Sequence, residues 1–184
     1  DGNANSGSYD VLLAKIDSDG NKQWITLLGS SDGDTASGVA VGGPNSIFVA
    51  GVTYGNLDGT SPLGGNDAFI AKFNSSGATV WSRAHGTAGE ESVGDVAVDS
   101  QGNAYLVGTV ASSVAGQTSA GGNDAFLAKY SADGYLLWTK LLGGNGTEVG
   151  RSVVADGAGN ILMAGYSNSA SFNGSPTAGA EDAF

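Results

Sequence analysis

A 57-residue repeat governs this chain. Trp24, Trp81 and Trp138 stand 57 residues apart, and so do Lys15, Lys72 and Lys129. Gly20, Gly77 and Gly134 keep the step, as do Gly29, Gly86 and Gly143, and Gly51, Gly108 and Gly165. Asp10, Asp67 and Asp124 continue it, and Asp182 follows after 58. The segments NDAFIAK and NDAFLAK are nearly identical, and EDAF begins another copy. A chain built this way folds as a series of like units that bury their faces on one another.

Each period holds four strand-like runs. In the middle copy they are DAFIAKF (67–73), ATVWSRA (78–84), VGDVAVD (93–99) and NAYLVGTV (103–110). Turn signals separate them, and DSDG at 17–20 and SADG at 131–134 are hairpin turns of the Asp-Gly type. Helical periodicity appears nowhere. Four short strands per repeat of this length predict one propeller blade. The expected fold is all-β: a β-propeller of four-stranded antiparallel blades, with about three blades in this chain. The expected repeats are 10–66, 67–123 and 124–181, with another starting at 182. SGVAV, GDVAV and RSVVA are the smallest-residue strands and suit the crowded innermost position, which leaves the Trp strand outermost. On that order the chain starts in the third strand of one blade. It passes through two complete blades and stops inside the third strand of another. The strands are apolar on both faces, as stacked blades require.

The order D-A-F-x-A-K, then x-x-x-G-x-x-x-W, then G, then V-A-x-D-x-x-G-N-x-Y-x-x-G resembles the SBBP repeat of the seven-bladed β-propeller family. The resemblance covers essentially the whole chain. It implies a propeller of about seven blades, found mostly in secreted or surface proteins of bacteria and archaea, and it implies no catalytic residues. The first copy departs from the pattern, with YDVL in place of DAF and GGPNS at 42–46 in place of DSQGN. Roughly three blades cannot close a ring, since propellers run from about four to eight. Further blades from a longer chain, or other copies, are expected to complete it.

Composition narrows the partners. The formal charge is −11, from 18 acidic and 7 basic residues. Such a surface repels phosphate, which argues against nucleic acid and anionic membrane and favours cations or basic protein surfaces. Cys is absent, so disulfides, thiol catalysis and Cys-ligated zinc are all excluded. No stretch approaches the ~20 apolar residues of a membrane span. No signal peptide is visible, and the chain opens and stops in mid-pattern.

Each recurring column has a candidate role. Asp34, Glu91 and Glu148 fall ten residues after each Trp, in the loop leading into the innermost strand. Such loops ring one mouth of the channel, so these acids are a candidate carboxylate ring for Ca²⁺ or a basic partner, with Asp32, Glu90 and Asp95 beside them. No other cofactor is expected. The column of Asp10, Asp67, Asp124 and Asp182 is read as structural, its carboxylates accepting backbone N–H bonds at a turn. Trp24, Trp81 and Trp138 are read as filling between outer strands rather than as a sugar platform. DSDGN at 17–21 imitates a calcium loop, but Lys22 and Leu28 stand where that loop needs Gly and Glu. GGNGTEVG at 143–150 lacks the Lys-Ser/Thr ending of a phosphate loop. Asn74, Asn145 and Asn173 head N-x-S/T sequons, which arise by chance in a chain rich in Asn and Ser. His85, the only histidine, is read as incidental.

The leading functional expectation is a non-enzymatic extracellular or cell-surface propeller that scaffolds, adheres to or binds a protein. The loops at 52–65, 109–122 and 166–180 differ most between copies and are small and polar, with Asp58 their one charge. The alternative is a glycan-binding, lectin-like propeller, using aromatics such as Tyr54 and Phe172. The middle copy has no aromatic at that place. A polysaccharide-acting enzyme would need acids or bases off the repeat, and only Asp95 and Arg151 offer themselves.

Overall fold

The computed structural model describes residues 5–57, 59, 62–177 and 182–184; Asp58 lies outside them. The DAFIAKF run shows how each repeat is used. It forms β5 (Asp67–Phe73), buried along nearly its whole length. It lies third in an antiparallel sheet of β3 (Asp34–Gly43), β4 (Ser46–Thr53), β5 and β6 (Thr79–His85), in that order. The next sheet repeats the plan with β7 (Glu91–Val98), β8 (Ala104–Val110), β9 (Asp124–Tyr130) and β10 (Leu136–Leu142). Before the first lie β1 (Val11–Ile16) and β2 (Lys22–Leu28), paired with each other. After the second come β11 (Glu148–Ala155), β12 (Ile161–Ser167) and β15 (Asp182–Ala183). A small hairpin of β13 (Ser171–Phe172) and β14 (Ser175–Pro176) precedes β15. The described residues contain no helix, and the sheets do not close into a barrel. These are propeller-type blades: two whole ones, flanked by the last two strands of one and the first three of another.

The small-residue strands are where successive blades converge, for β3, β7 and β11 neighbour one another in turn. A Cβ on Gly94 would collide with the carbonyl oxygen of Gly150 and lie 2.7 Å from that of Arg151. Each of these strands also bulges at the same place, between Ala36 and Gly38, Val93 and Asp95, and Gly150 and Ser152. The apolar cores lie between the sheets. Val11, Leu28, Val49, Phe69 and Phe73 fill the first junction. Phe48, Ile70, Trp81, Leu106 and Phe126 fill the second, and Tyr105, Val107 and Val153 the third.

The two ends of the strands are unlike. At one end every connection is a tight turn, closed by a bond such as Gly77 N–H to the Asn74 carbonyl. Asp17, Asp99 and Asp156 brace such turns by accepting backbone N–H bonds from residues two and four further on. The bond from Asn21 holds the Asp17 carboxyl below the usual carboxylate range, and the bonds from Asn160 do the same for Asp156. At the other end lie the long variable loops and the loops that pass from one blade to the next.

Candidate functional site

The two acidic columns meet under the long-loop end. Asp34, Glu91 and Glu148 start the inner strands β3, β7 and β11, and they are only 1%, 2% and 0% exposed. They are thus buried at the strand starts rather than held out into solvent. Each turns inward to hold its own loop. Ser30 N–H and Oγ–H donate to Asp34 Oδ2 at 2.6 and 2.9 Å. Thr87 N–H donates to Glu91 Oε2 at 2.9 Å, and Thr87 Oγ1–H to Oε1 at 2.6 Å. Glu148 Oε2 accepts from Gly144 N–H at 2.8 Å, and its Oε1 accepts from Ser167 and Ser169 hydroxyls. The physical reason is local: the loop bends back so that its free N–H groups point at the acid four residues on, and burial makes that carboxylate their partner.

Asp10, Asp67 and Asp124 do the same for the loop before the third strand. Their Oδ2 atoms accept the N–H of Ser6, Leu63 and Ala120, each four residues back. The strand registers place the two columns in one line. Asp34 lies opposite Thr53, which lies opposite Asp67. Glu91, Val110 and Asp124 form the next row, and Glu148, Ser167 and Asp182 the last. Across each junction the rows are joined by a backbone bond, from Asp34 to Tyr9, Glu91 to Asn66 and Glu148 to Asn123. Among the described residues no group of three or more His, Cys, Asp or Glu is arranged to hold a metal ion.

The Trp column locks neighbouring blades. Trp24 Nε1–H donates to the Ser75 carbonyl at 3.0 Å, and Trp81 Nε1–H to that of Ala132 at 3.2 Å. Both acceptors lie in the tight turn of the next blade. Trp138 is 36% exposed against 9% for Trp81. The Lys column divides. Lys72 reaches the Ala132 carbonyl at 2.9 Å, while Lys129 pairs with Asp99 of its own blade at 3.5 Å.

Two off-repeat residues form a site that the sequence reading missed. His85 and Tyr130 stand where the preceding copy has Leu28 and Phe73. Both are buried, and His85 Nδ1 hydrogen-bonds the Tyr130 hydroxyl at 2.9 Å across the junction of the two whole blades. His85 Nε2 has no partner. They line a cleft of about 470 Å³ with Leu63, Arg83, Val114 and Tyr135. The signal available was the paired departure, 45 residues apart in sequence, which only the register brings together. Burial lowers the His85 pKa to about 4. The folded value is below the unfolded one, so neutral His85 contributes stability above about pH 6.5 that is lost as pH falls toward the folded value, about 3 kcal/mol in all. The H85L/Y130F double variant, which restores the Leu–Phe pair, should therefore lose less stability than wild type between about pH 6.5 and pH 4. Y130F alone strips His85 of its hydrogen bond and should cost about 1–3 kcal/mol at neutral pH. Urea midpoints across that range check both, and parallel curves for the double variant and wild type would refute the assignment.

Asp95 and Arg151 do not make an acid–base set. Asp95 Oδ2 accepts from Ser152 Oγ–H at 3.0 Å and Val153 N–H at 3.3 Å, tying β7 to β11. Arg151 lies over the Tyr166 ring at 5.5 Å. The variable loops are anchored, since Leu57 and Val114 plug into the cores beneath them. Tyr54 and Leu63 remain exposed on the loops, whereas Phe172 is stacked on Phe184 at 4.4 Å.

Comparison with known proteins agrees with this architecture. Residues 137–173 match the family model described as SBBP, a β-propeller repeat. The regulatory protein FlaEY of Caulobacter vibrioides is 30% identical over 111 residues, which is 56% of this chain and 11% of that protein. An uncharacterized WD repeat-containing protein of Acanthamoeba polyphaga mimivirus is 23% identical over 198 residues, 89% of this chain and 14% of that protein. The chain thus spans a small part of the length of either relative.

Proposed function

We propose that this chain, which carries an SBBP β-propeller repeat at 137–173, is a non-enzymatic interaction module that offers its long-loop face to a protein partner. The observation that carries the reading is the inequality of the two ends. The columns that recur in every copy are consumed in holding blades and turns together, as the Trp, Asp and Glu bonds attest. What varies is collected on one face, on anchored loops, where a rigid scaffold presents variable contacts. Tyr54 and Leu63 supply exposed apolar surface there, and a net charge of −11 favours a basic partner. A regulatory protein and a WD repeat-containing protein among the relatives support an interaction role. Family resemblance supports a place outside the cell or on its surface, as an adhesive or scaffolding part of a larger assembly. No helix of the described residues is long and apolar enough to cross a membrane.

Selection of displayed proteins against the purified chain tests the face. Ligands should weaken by about tenfold or more when Tyr54 and Leu63 are both changed to Ser. They should be indifferent to Asp133→Ala on the tight-turn face, and neither change should move the melting temperature appreciably. Ligands that track Asp133 instead would place the surface on the wrong side. A glycan array that lights up while no protein binds would replace this reading with the lectin one, and turnover of a polysaccharide would overturn the non-enzymatic one. Protease shaving of intact source cells tests the surface location.

A further inference from the structure

The aspartates that open the third strands, Asp10, Asp67 and Asp124, are each left with one unsatisfied atom. Asp67 and Asp124 are fully buried, and their Oδ1 atoms have no hydrogen-bond partner. A Cβ on Gly86 would collide with Asp67 Oδ1 and lie 2.6 Å from Glu91 Oε2. One on Gly143 would collide with Asp124 Oδ1 and lie 2.7 Å from Glu148 Oε2. Each glycine therefore marks a point where two carboxylates from different blades come together. Buried carboxylates that meet at one point with no counter-charge beside them disfavour each other's ionised form. The titratable groups around the Asp67–Glu91 pair are Glu90 on the same loop, His85 at the end of β6, and Asp34 and Asp124 two strands away in their own sheets. Glu90, Asp34 and Asp124 bring no positive charge, and buried His85 is neutral near pH 7. Around Asp124–Glu148 the neighbours are the hydroxyls of Ser167 and Ser169, and Asp182 two strands on. Neither pair has Lys or Arg within ion-pair distance among the described residues, where Lys129 is taken by Asp99.

We propose that each of these pairs, Asp67–Glu91 and Asp124–Glu148, holds one shared proton between Asp Oδ1 and Glu Oε2, and that this proton latches adjacent blades. It supplies the donor that the orphaned Oδ1 atoms lack and removes one of two buried charges. It balances simply: the pair binds one H⁺ from water on folding and releases it when the pH rises far enough. Burial pushes the Glu91 carboxyl up, its bonds from Thr87 pull it down, and the Asp67 carboxyl beside it pushes it up again, leaving it raised. A folded value above the unfolded one means stability that is complete at acid pH and lost as pH climbs through the folded value. The first junction is built differently. Asp34 is one methylene shorter than Glu, the three atoms nearest a Cβ on Gly29 all belong to Asp10, and both Oδ1 atoms there are unpartnered.

The D67N/D124N double variant tests the latch, because an Asn amide can donate permanently where the shared proton does. Melting is followed from about pH 5 to pH 9 for variant and wild type, so that the acid response of His85 cancels in the difference. The two should melt together near pH 5, and the variant should lead by about 2–4 °C or more near pH 9. Infrared spectra of wild type at neutral pH should show a protonated carboxyl C=O band that is absent from the variant. This second readout does not depend on how well the variant folds. No such band, or a wild type that melts higher at pH 9, overturns the proposal. A rise in wild-type melting at pH 9 on adding calcium alone would likewise overturn it, in favour of a bound cation.

Discussion

Trp81→Ala should destabilise the protein by about 3–5 kcal/mol, the range for removing a buried large aromatic. Trp81 packs edge-on to Phe48 at 5.9 Å and lies beneath the Arg83 guanidinium at 5.6 Å. Its indole N–H donates to the Ala132 carbonyl at 3.2 Å. The change opens a cavity at the junction of two blades and removes one of the two donors to that carbonyl, leaving Lys72 Nζ at 2.9 Å. Trp138 is chemically the same residue one repeat later, but among the described residues its ring meets Tyr105 edge-on at 6.0 Å and it is 36% exposed. Trp138→Ala should cost about 1–2 kcal/mol, since less apolar area leaves water-free surroundings. Urea denaturation of both variants measures the difference. Equal losses would mean that the Trp acts within its own strand pair and not as a lock between blades.

Gly134→Ala should be the other severe change, and Gly20→Ala its mild counterpart. Both glycines occupy the same place in the same turn, with φ of +83° and +85°. An alanine there costs about 1–2 kcal/mol through backbone strain alone. Nothing lies within 4 Å of a Cβ on Gly20, whereas one on Gly134 would sit 2.8 Å from Trp81 Cδ2. Crowding against a ring already fixed on two sides adds about 1–3 kcal/mol. Gly134→Ala should therefore cost about twice as much as Gly20→Ala or more. In the W81A background the excess should vanish, because the two sites share one contact. If the excess survives without Trp81, the glycine is needed only for its backbone, and the lock is misassigned.

Much of the fold can be read from the repeat, because each blade solves one local problem in the same way. The four strands of a period, the Asp-Gly type turns and the innermost place of GDVAV follow from residue size and turn chemistry. The start in a third strand and the stop in another do as well. The site was harder to read, for a physical reason that His85 and Glu91 illustrate. Their roles depend on partners in another blade, Tyr130 and Asp67. Sequence spacing shows that Asp67 and Glu91 each recur, but not that one points at the other. It also placed the acids in a ring at the channel mouth, but spacing does not record how deeply each carboxylate is buried. Here the bend of the loop turns the carboxylates inward to their own N–H groups.

The sequence by itself determined the blade: its length, its strands, its turns and the recurring residues that make every blade alike. Those features are local in the chain, so periodicity is enough to reveal them. Only the tertiary structure decided which columns meet. Stacking one sheet on the next put Trp81 against the turn of the following blade. It also set His85 against Tyr130 and brought the buried acids together in pairs at the glycines. Contacts between blades depend on how sheets pack, and no spacing along one strand records that.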